Sequence, residues 1–217
     1  QGRDSRHGAA RWRLSRSVCL IVMAITYPRN PPDPFNLSRL SLTGVSAVSR
    51  NTSPFTLQTQ QYNHAGQAWL GSVDCPPMVR ADAETMLAFL LSAQRGTFYF
   101  QDYANTAPRG AISGTLEVTS ATANSSTLTY SGTTSGTQFA LGDWLQISTS
   151  LYKVIQLNGV GNVDVFPVLR KSYAATTSIV KTNAKGVFRL AQPTTEWSIE
   201  LASVYGISFS IVEDVET

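Results

Sequence analysis

Histidine and cysteine are almost absent from this chain: His7, His64, Cys19 and Cys75 are all it has. The two cysteines lie far apart, without CxxC or Cys/His ligand spacing. They read as free thiols in a reducing compartment, not as a disulfide or a zinc site. Charge is scarce too: charged residues make up 14% of the chain, well below the roughly 25% usual in soluble domains. Thr, Ser, Gly and Gln take their place. Such a surface suits many short strands, and it suits burial against further copies, because interface cores are depleted in charge. The net charge of +3 arises in residues 1–22, where Arg3, Arg6, Arg11, Arg13 and Arg16 face Asp4 alone. Residues 23–217 are close to neutral, with no basic face for a phosphate backbone, so direct nucleic-acid recognition is not expected. No apolar run approaches the roughly 18–20 residues of a membrane span.

Residues 1–22 form an Arg-rich leader without strand alternation, ending in a short apolar run from Val18 to Ile25. A signal peptide would need a small-x-small cleavage site, but the chain runs into Tyr27-Pro28-Arg29-Asn30-Pro31-Pro32. Met23 is the better natural start, with 1–22 an appendage of no functional role. Pro28, Pro31, Pro32 and Pro34 then predict an extended arm, suited to lying on a neighbouring subunit.

In the body, Leu40, Leu42, Val45 and Val48 alternate loosely, and Phe55 and Leu57 predict a half-buried strand. A turn at Asn63-His64-Ala65-Gly66 would join that strand to a second one through Trp69. One helix is predicted over 80–94, with Ala83, Met86, Leu87, Leu90 and Leu91 on its apolar face and Gly96 closing it. Thr97–Phe100 is a strongly apolar strand. Residues 109–183 change character: they are rich in Gly, Ser, Thr and Asn, with short strands at 127–130, 141–147, 151–155 and 163–167 and a tight turn at 158–162. This reads as a small inserted all-β domain. The remainder, 23–108 and 184–217, ends in strands at 186–190, 196–201 and 207–213; the last two alternate oily and polar, as antiparallel sandwich strands do. The fold class is therefore mainly β: an antiparallel β-sandwich with one amphipathic helix and an inserted small β-barrel-like domain.

Chemistry has few candidates. A Ser–His–Asp triad would have to rest on His64, a turn residue in this reading. Asp102 and Asp143 could pair as carboxylates, but both adjoin turns, where Asp bonds its own backbone. Gly159-Val160-Gly161 opens no helix and is a hairpin turn, not a phosphate loop. No catalytic residue, metal ligand or cofactor is assigned. Trp69, Trp144 and Trp197 belong to the core by default. If the insertion reads host glycan, Trp144 and Tyr152 are the aromatics to do it.

The order of these elements resembles the distal tail proteins of siphophages. The resemblance rests on Met23-Ala24-Ile25-Thr26-Tyr27-Pro28, on the hairpin around Phe55-Thr56-Leu57-Gln58 and Trp69, and on Pro76-Pro77-Met78-Val79-Arg80-Ala81-Asp82-Ala83-Glu84. It continues through Gly96-Thr97-Phe98, Pro108-Arg109-Gly110, Gly142-Asp143-Trp144-Leu145-Gln146, Leu151-Tyr152-Lys153-Val154 and Gly186-Val187-Phe188-Arg189-Leu190, and ends at Tyr205-Gly206-Ile207-Ser208-Phe209. It implies a non-enzymatic virion protein of the phage tail tip, assembled in the host cytoplasm. It implies a homohexameric ring joining the tail tube to the tail hub and its receptor-binding proteins, around the tape-measure protein. A carbohydrate-binding module working through the insertion, and more remotely a cell-wall hydrolase using Asp102, Asp143 or His64, are the rival expectations.

Overall fold

The computed structural model describes residues 25–33, 35–132, 138–199 and 205–215. The leader 1–22, the proposed start at Met23, Pro34 and Cys19 lie outside them. The chain is mainly β, with antiparallel sheets, one helix and a closed barrel.

Two strands, β1 (Arg39–Thr52) and β2 (Thr59–Asp74), form a long antiparallel hairpin. The helix α1 (Arg80–Ala93) and strand β3 (Phe98–Gln101) follow. Six short strands then make the barrel: β4 (Leu116–Ala121), β5 (Thr127–Ser131), β6 (Trp144–Ile147), β7 (Ser150–Leu157), β8 (Asn162–Phe166) and β9 (Ser178–Val180). The chain returns through β10 (Lys185–Leu190), β11 (Trp197–Ile199) and β12 (Tyr205–Glu213). The main sheet runs β1-β2-β12-β10-β3, with β11 paired to the start of β12; the barrel closes in the order β4-β5-β8-β7-β6-β9.

The helix forms where the apolar spacing predicts, but its buried face is Ala83, Met86, Leu87, Phe89, Leu90 and Ala93. Leu91 points outward and is about half exposed. This face covers Val73, Phe98, Phe100, Phe188, Phe209 and Ile211 of the sheet in one core. The barrel has its own core, in which Leu116, Val118, Leu128, Leu145, Ile147, Tyr152, Val154, Val163 and Val165 point inward. Phe139, Leu169 and Tyr173 also belong to it. A barrel this small is filled by side chains and holds no channel.

Several expectations are corrected. The hairpin turns at Ser53–Gln58, where Leu57 N–H donates to Ser53 O (2.9 Å) and Leu57 takes a positive φ of 57°. Phe55 and Leu57 thus sit at the tip, not in a half-buried strand. Asn63 and Gly66 lie inside β2, beside a register shift between Ser46 and Val48. Gly96 needs no left-handed φ; it leaves room for Tyr27, whose ring a Cβ at Gly96 would approach to 2.4 Å. Trp197 and Ile199 do not form a buried face: they are 47% and 56% exposed. The Pro-rich arm packs along β3 of its own chain. Arg29 N–H donates to Thr97 O (3.0 Å), Tyr99 N–H donates to Arg29 O (2.8 Å), and Phe35 packs on Tyr103 at 5.0 Å. The arm thereby pairs with the outer edge of β3.

Two stretches singled out in the sequence meet in one clasp where the chain enters the barrel. The buried Asp143 carboxylate accepts N–H groups from Arg109 (2.8 Å), Gly110 (3.0 Å) and Ala140 (2.7 Å). Gly110 has to be glycine here, since a Cβ would fall 2.4 Å from Gln138 O. On the exit side, Asn183 N–H donates to Thr106 O (2.6 Å) and Lys181 Nζ to Gly114 O (2.8 Å). Asp143→Ala leaves three backbone donors without their acceptor. It is expected to destabilise the chain by about 3 kcal/mol or more, with Asp143→Asn milder, as read from denaturant midpoints.

Candidate assembly surface

The β1–β2 hairpin outgrows the sheet that carries it. On β2, β12 pairs with Leu70–Asp74 at the root, and among the described residues β1 has a strand neighbour on one side only. Beyond Thr43 every residue of β1 is exposed, as is all of β2 before Gln67. The exposed set includes large apolar side chains: Val45 and Val48 on β1, Tyr62 on β2, and Phe55 (94% exposed) and Leu57 (78% exposed) at the tip. Small polar contacts stitch the two strands: Ser49 Oγ with His64 Nε2 (3.0 Å), Arg50 Nε with Gln61 Oε1 (3.0 Å) and Thr52 Oγ1 with Thr59 Oγ1 (3.0 Å). An isolated two-stranded ribbon is at best marginally stable in water.

The root is held firmly. Trp69 is buried on β2, with its ring centroid 5.0 Å from those of both Trp144 and Phe166. Its Nε1–H donates to Leu151 O (3.2 Å) and its backbone N–H to Glu213 Oε2 (3.1 Å). Gly44 on the facing strand accommodates the barrel, because a Cβ there would lie 2.6 Å from the Phe166 ring. Gln67 Oε1 accepts from Val168 N–H (2.8 Å), and Gln67 O accepts from the Arg170 guanidinium (2.5 Å). The same guanidinium pairs with Glu213 at 2.5 Å, both side chains being at least nine-tenths buried. Burial pushes the Glu213 carboxyl up, and the Arg170 charge and Trp69 N–H pull it back only in part. The barrel therefore braces the base from which the hairpin projects.

The sequence-predicted site residues are not brought together. Tyr152 is fully buried in the barrel, sharing a hydroxyl hydrogen bond with Tyr173 (2.9 Å) and accepting from Arg170 N–H (3.1 Å). It offers no stacking face to a saccharide. Trp144 is 6% exposed, its ring between Trp69 and the Lys153 ammonium, 4.4 Å from the centroid. Its Nε1–H donates to Asp102 Oδ2 (3.0 Å), so Asp102 and Asp143 serve separate internal networks and do not pair. Asp102 also accepts from Ala104 N–H (3.0 Å) and Asn105 Nδ2 (2.7 Å). His64 meets Ser49 and Tyr62 on the open hairpin, and among the described residues no carboxylate joins them. Cys75 is a buried free thiol, pushed up to about 11 by burial and by the Asp74 charge. Among the described residues no three His, Cys, Asp or Glu gather to hold a metal, and no helix is long and apolar enough to cross a membrane.

What the sequence reading missed is the exposure of the outer hairpin and the place of its tip. The clue was the run from Leu42 to Thr52, which has strand-forming residues but no deep apolar side. The bracing contacts set the expected mutational cost. Arg170→Ala leaves the Glu213 carboxylate buried and uncompensated, which is expected to cost about 3–5 kcal/mol. Gly44→Val drives a side chain into Phe166. Both are expected to lower the unfolding midpoint, whereas Arg50→Ala on the free hairpin is expected to leave it within about 0.5 kcal/mol. No protein-family model matches this chain, and no curated protein matches it.

Proposed function

We propose that this chain is a structural subunit that closes with copies of itself into a ring through the projecting hairpin. One observation carries the reading: a hairpin with strands of 14 and 16 residues, whose outer part is exposed throughout and bears Val45, Val48, Phe55, Leu57 and Tyr62. Unpaired strand edges and apolar tips are a liability in a free monomer. They are resolved when each hairpin pairs with the next, and head-to-tail contacts of this kind close a ring.

The resemblance to siphophage distal tail proteins gives the ring its setting. In that reading it is a homohexamer at the virion's tail tip, assembled in the host cytoplasm. It joins the tail tube to the hub and receptor-binding proteins, with the tape-measure protein in its lumen. Its work is mechanical and calls for no catalytic residue or cofactor.

Native mass spectrometry and negative-stain imaging of the full chain, alone and with the tail-tube partner, test this. Rings are expected, and Val48→Lys combined with Leu57→Lys is expected to abolish them while leaving the unfolding midpoint nearly unchanged. Monomers alone under both conditions would falsify the proposal.

A further inference from the structure

The turn that joins β7 to β8 holds the one Asn-Gly step of the chain, Asn158-Gly159. An asparagine side chain carries an electrophilic carbon, Cγ, within ring-closing reach of the next residue's backbone nitrogen. Folding usually blocks that closure, either because the next N–H is hydrogen-bonded or because the next side chain is in the way. Neither protection operates here. Among the described residues the Gly159 N–H has no hydrogen-bond partner. Asn158 and Gly159 are both exposed. A Cβ built at Gly159 would meet nothing within 4 Å, and its φ of 118° suits glycine alone. The turn is pinned around this step: Asn158 N–H donates to Asn162 O (3.0 Å), Asn162 N–H to Gly159 O (3.3 Å) and Tyr130 N–H to Gly161 O (2.8 Å). Gln156 Nε2 donates to Asn158 Oδ1 (2.9 Å), the atom that takes up negative charge when Cγ is attacked. The other asparagines differ. Asn124 precedes Ser125, whose N–H already donates to Thr122 O (3.1 Å), and Asn162 precedes the fully buried, β-branched Val163.

We propose that Asn158 is a site of intrinsic covalent modification, converted in the folded chain to aspartate and isoaspartate through a succinimide. Hydroxide takes the Gly159 amide proton. The nitrogen's electron pair then forms a bond to Cγ of Asn158, the Cγ–Nδ2 bond breaks, and the amino group leaves as ammonia with a proton from water. One water opens the ring. Attack at Cγ breaks the new N–Cγ bond and leaves aspartate. Attack at the main-chain carbonyl carbon breaks the original peptide bond and leaves isoaspartate, with one more methylene in the main chain. Either product adds a negative charge beside Gln156. Isoaspartate also lengthens the path between two pinned points, Asn158 N–H and Gly161 O, so the turn loosens where it rests on β5. The reaction is independent of ring closure, and its only co-reactant is water.

The test is incubation of the full chain in mildly alkaline buffer made with oxygen-labelled water, with near-UV circular dichroism to show that it stays folded. Samples are digested with trypsin and sequenced by mass spectrometry. The tryptic peptide 154–170 carries both Asn158 and Asn162, so one serves as the control for the other. Asn158 is expected to exchange its amide for an acid containing one labelled oxygen, with isoaspartate the larger product and a rate that rises with pH. Asn162 and Asn124 are expected to stay intact over the same period. The excised peptide 154–170, incubated alone, sets the unprotected rate, and Asn158 in the folded chain is expected to react within about tenfold of it. Asn158→Gln, which cannot close the five-membered ring, is expected to show no conversion at 158. The Val48→Lys, Leu57→Lys hairpin variant is expected to react as the parent does, which separates this site from the ring. The proposal is overturned if Asn158 in the folded chain reacts more slowly than that tenfold bound, if no labelled oxygen enters, or if Asn162 or Asn124 keeps pace with it.

Discussion

Trp69 sits where three parts of the molecule meet, and each of its faces answers a different demand. Its backbone N–H is held by Glu213 of β12, its indole N–H by Leu151 of β7, and its ring lies against Trp144 and Phe166 of the barrel. A long ribbon acts as a lever on its root, and a root joined only by sheet hydrogen bonds would yield to it. Here the root is clamped between the main sheet and the inserted barrel. The Arg170–Glu213 pair adds direction more than strength. A buried ion pair recovers little net energy after desolvation, but it tolerates few geometries. Since Arg170 also bonds Gln67 O on β2, the pair ties barrel, hairpin and β12 into one arrangement.

The distribution of apolar side chains divides the molecule by stability. Two closed cores, one under α1 and one inside the barrel, hold most of the large residues. The outer hairpin has none of these buried contacts and belongs to the part that opens most easily. A surface low in charge and a strand pair without a core occur together here, and in the proposed ring other copies supply the burial that the outer hairpin lacks. The arm behaves differently. By pairing with β3 and placing Tyr27 over Gly96, it closes an edge within its own subunit.

Much of the architecture was legible because it follows from local periodicity. The spacing of Ala83, Met86, Leu87 and Leu90 specified α1, and the alternation of Ile207, Phe209 and Ile211 specified β12. The Asn158–Asn162 turn was legible from its glycines, and Asn158 N–H does donate to Asn162 O (3.0 Å). Where periodicity has no core to report on, the reading went astray. β1 alternates loosely through Val48 but carries no deep apolar side beyond Leu42, so its exposure was invisible. The turn was drawn to Asn63 and Gly66 because those residues favour turns, while the real tip is set by Ser53, Pro54 and a positive φ at Leu57. β4 was lost in a Gly/Ser/Thr-rich stretch, although Leu116 and Val118 are buried in the barrel.

By itself the sequence determined what neighbouring residues decide: a mainly β chain, one amphipathic helix, a compositional break near residue 109, and too few reactive groups to assign a catalytic cluster. Only the tertiary structure decided which side chains from distant strands share a site. It put Tyr152 inside the barrel, sent the Asp102 and Asp143 carboxylates to separate networks, and left the outer hairpin bare. The physical reason is that burial depends on what the rest of the chain brings to a position. Alternation along one strand tells which residues share a face but not whether anything covers it.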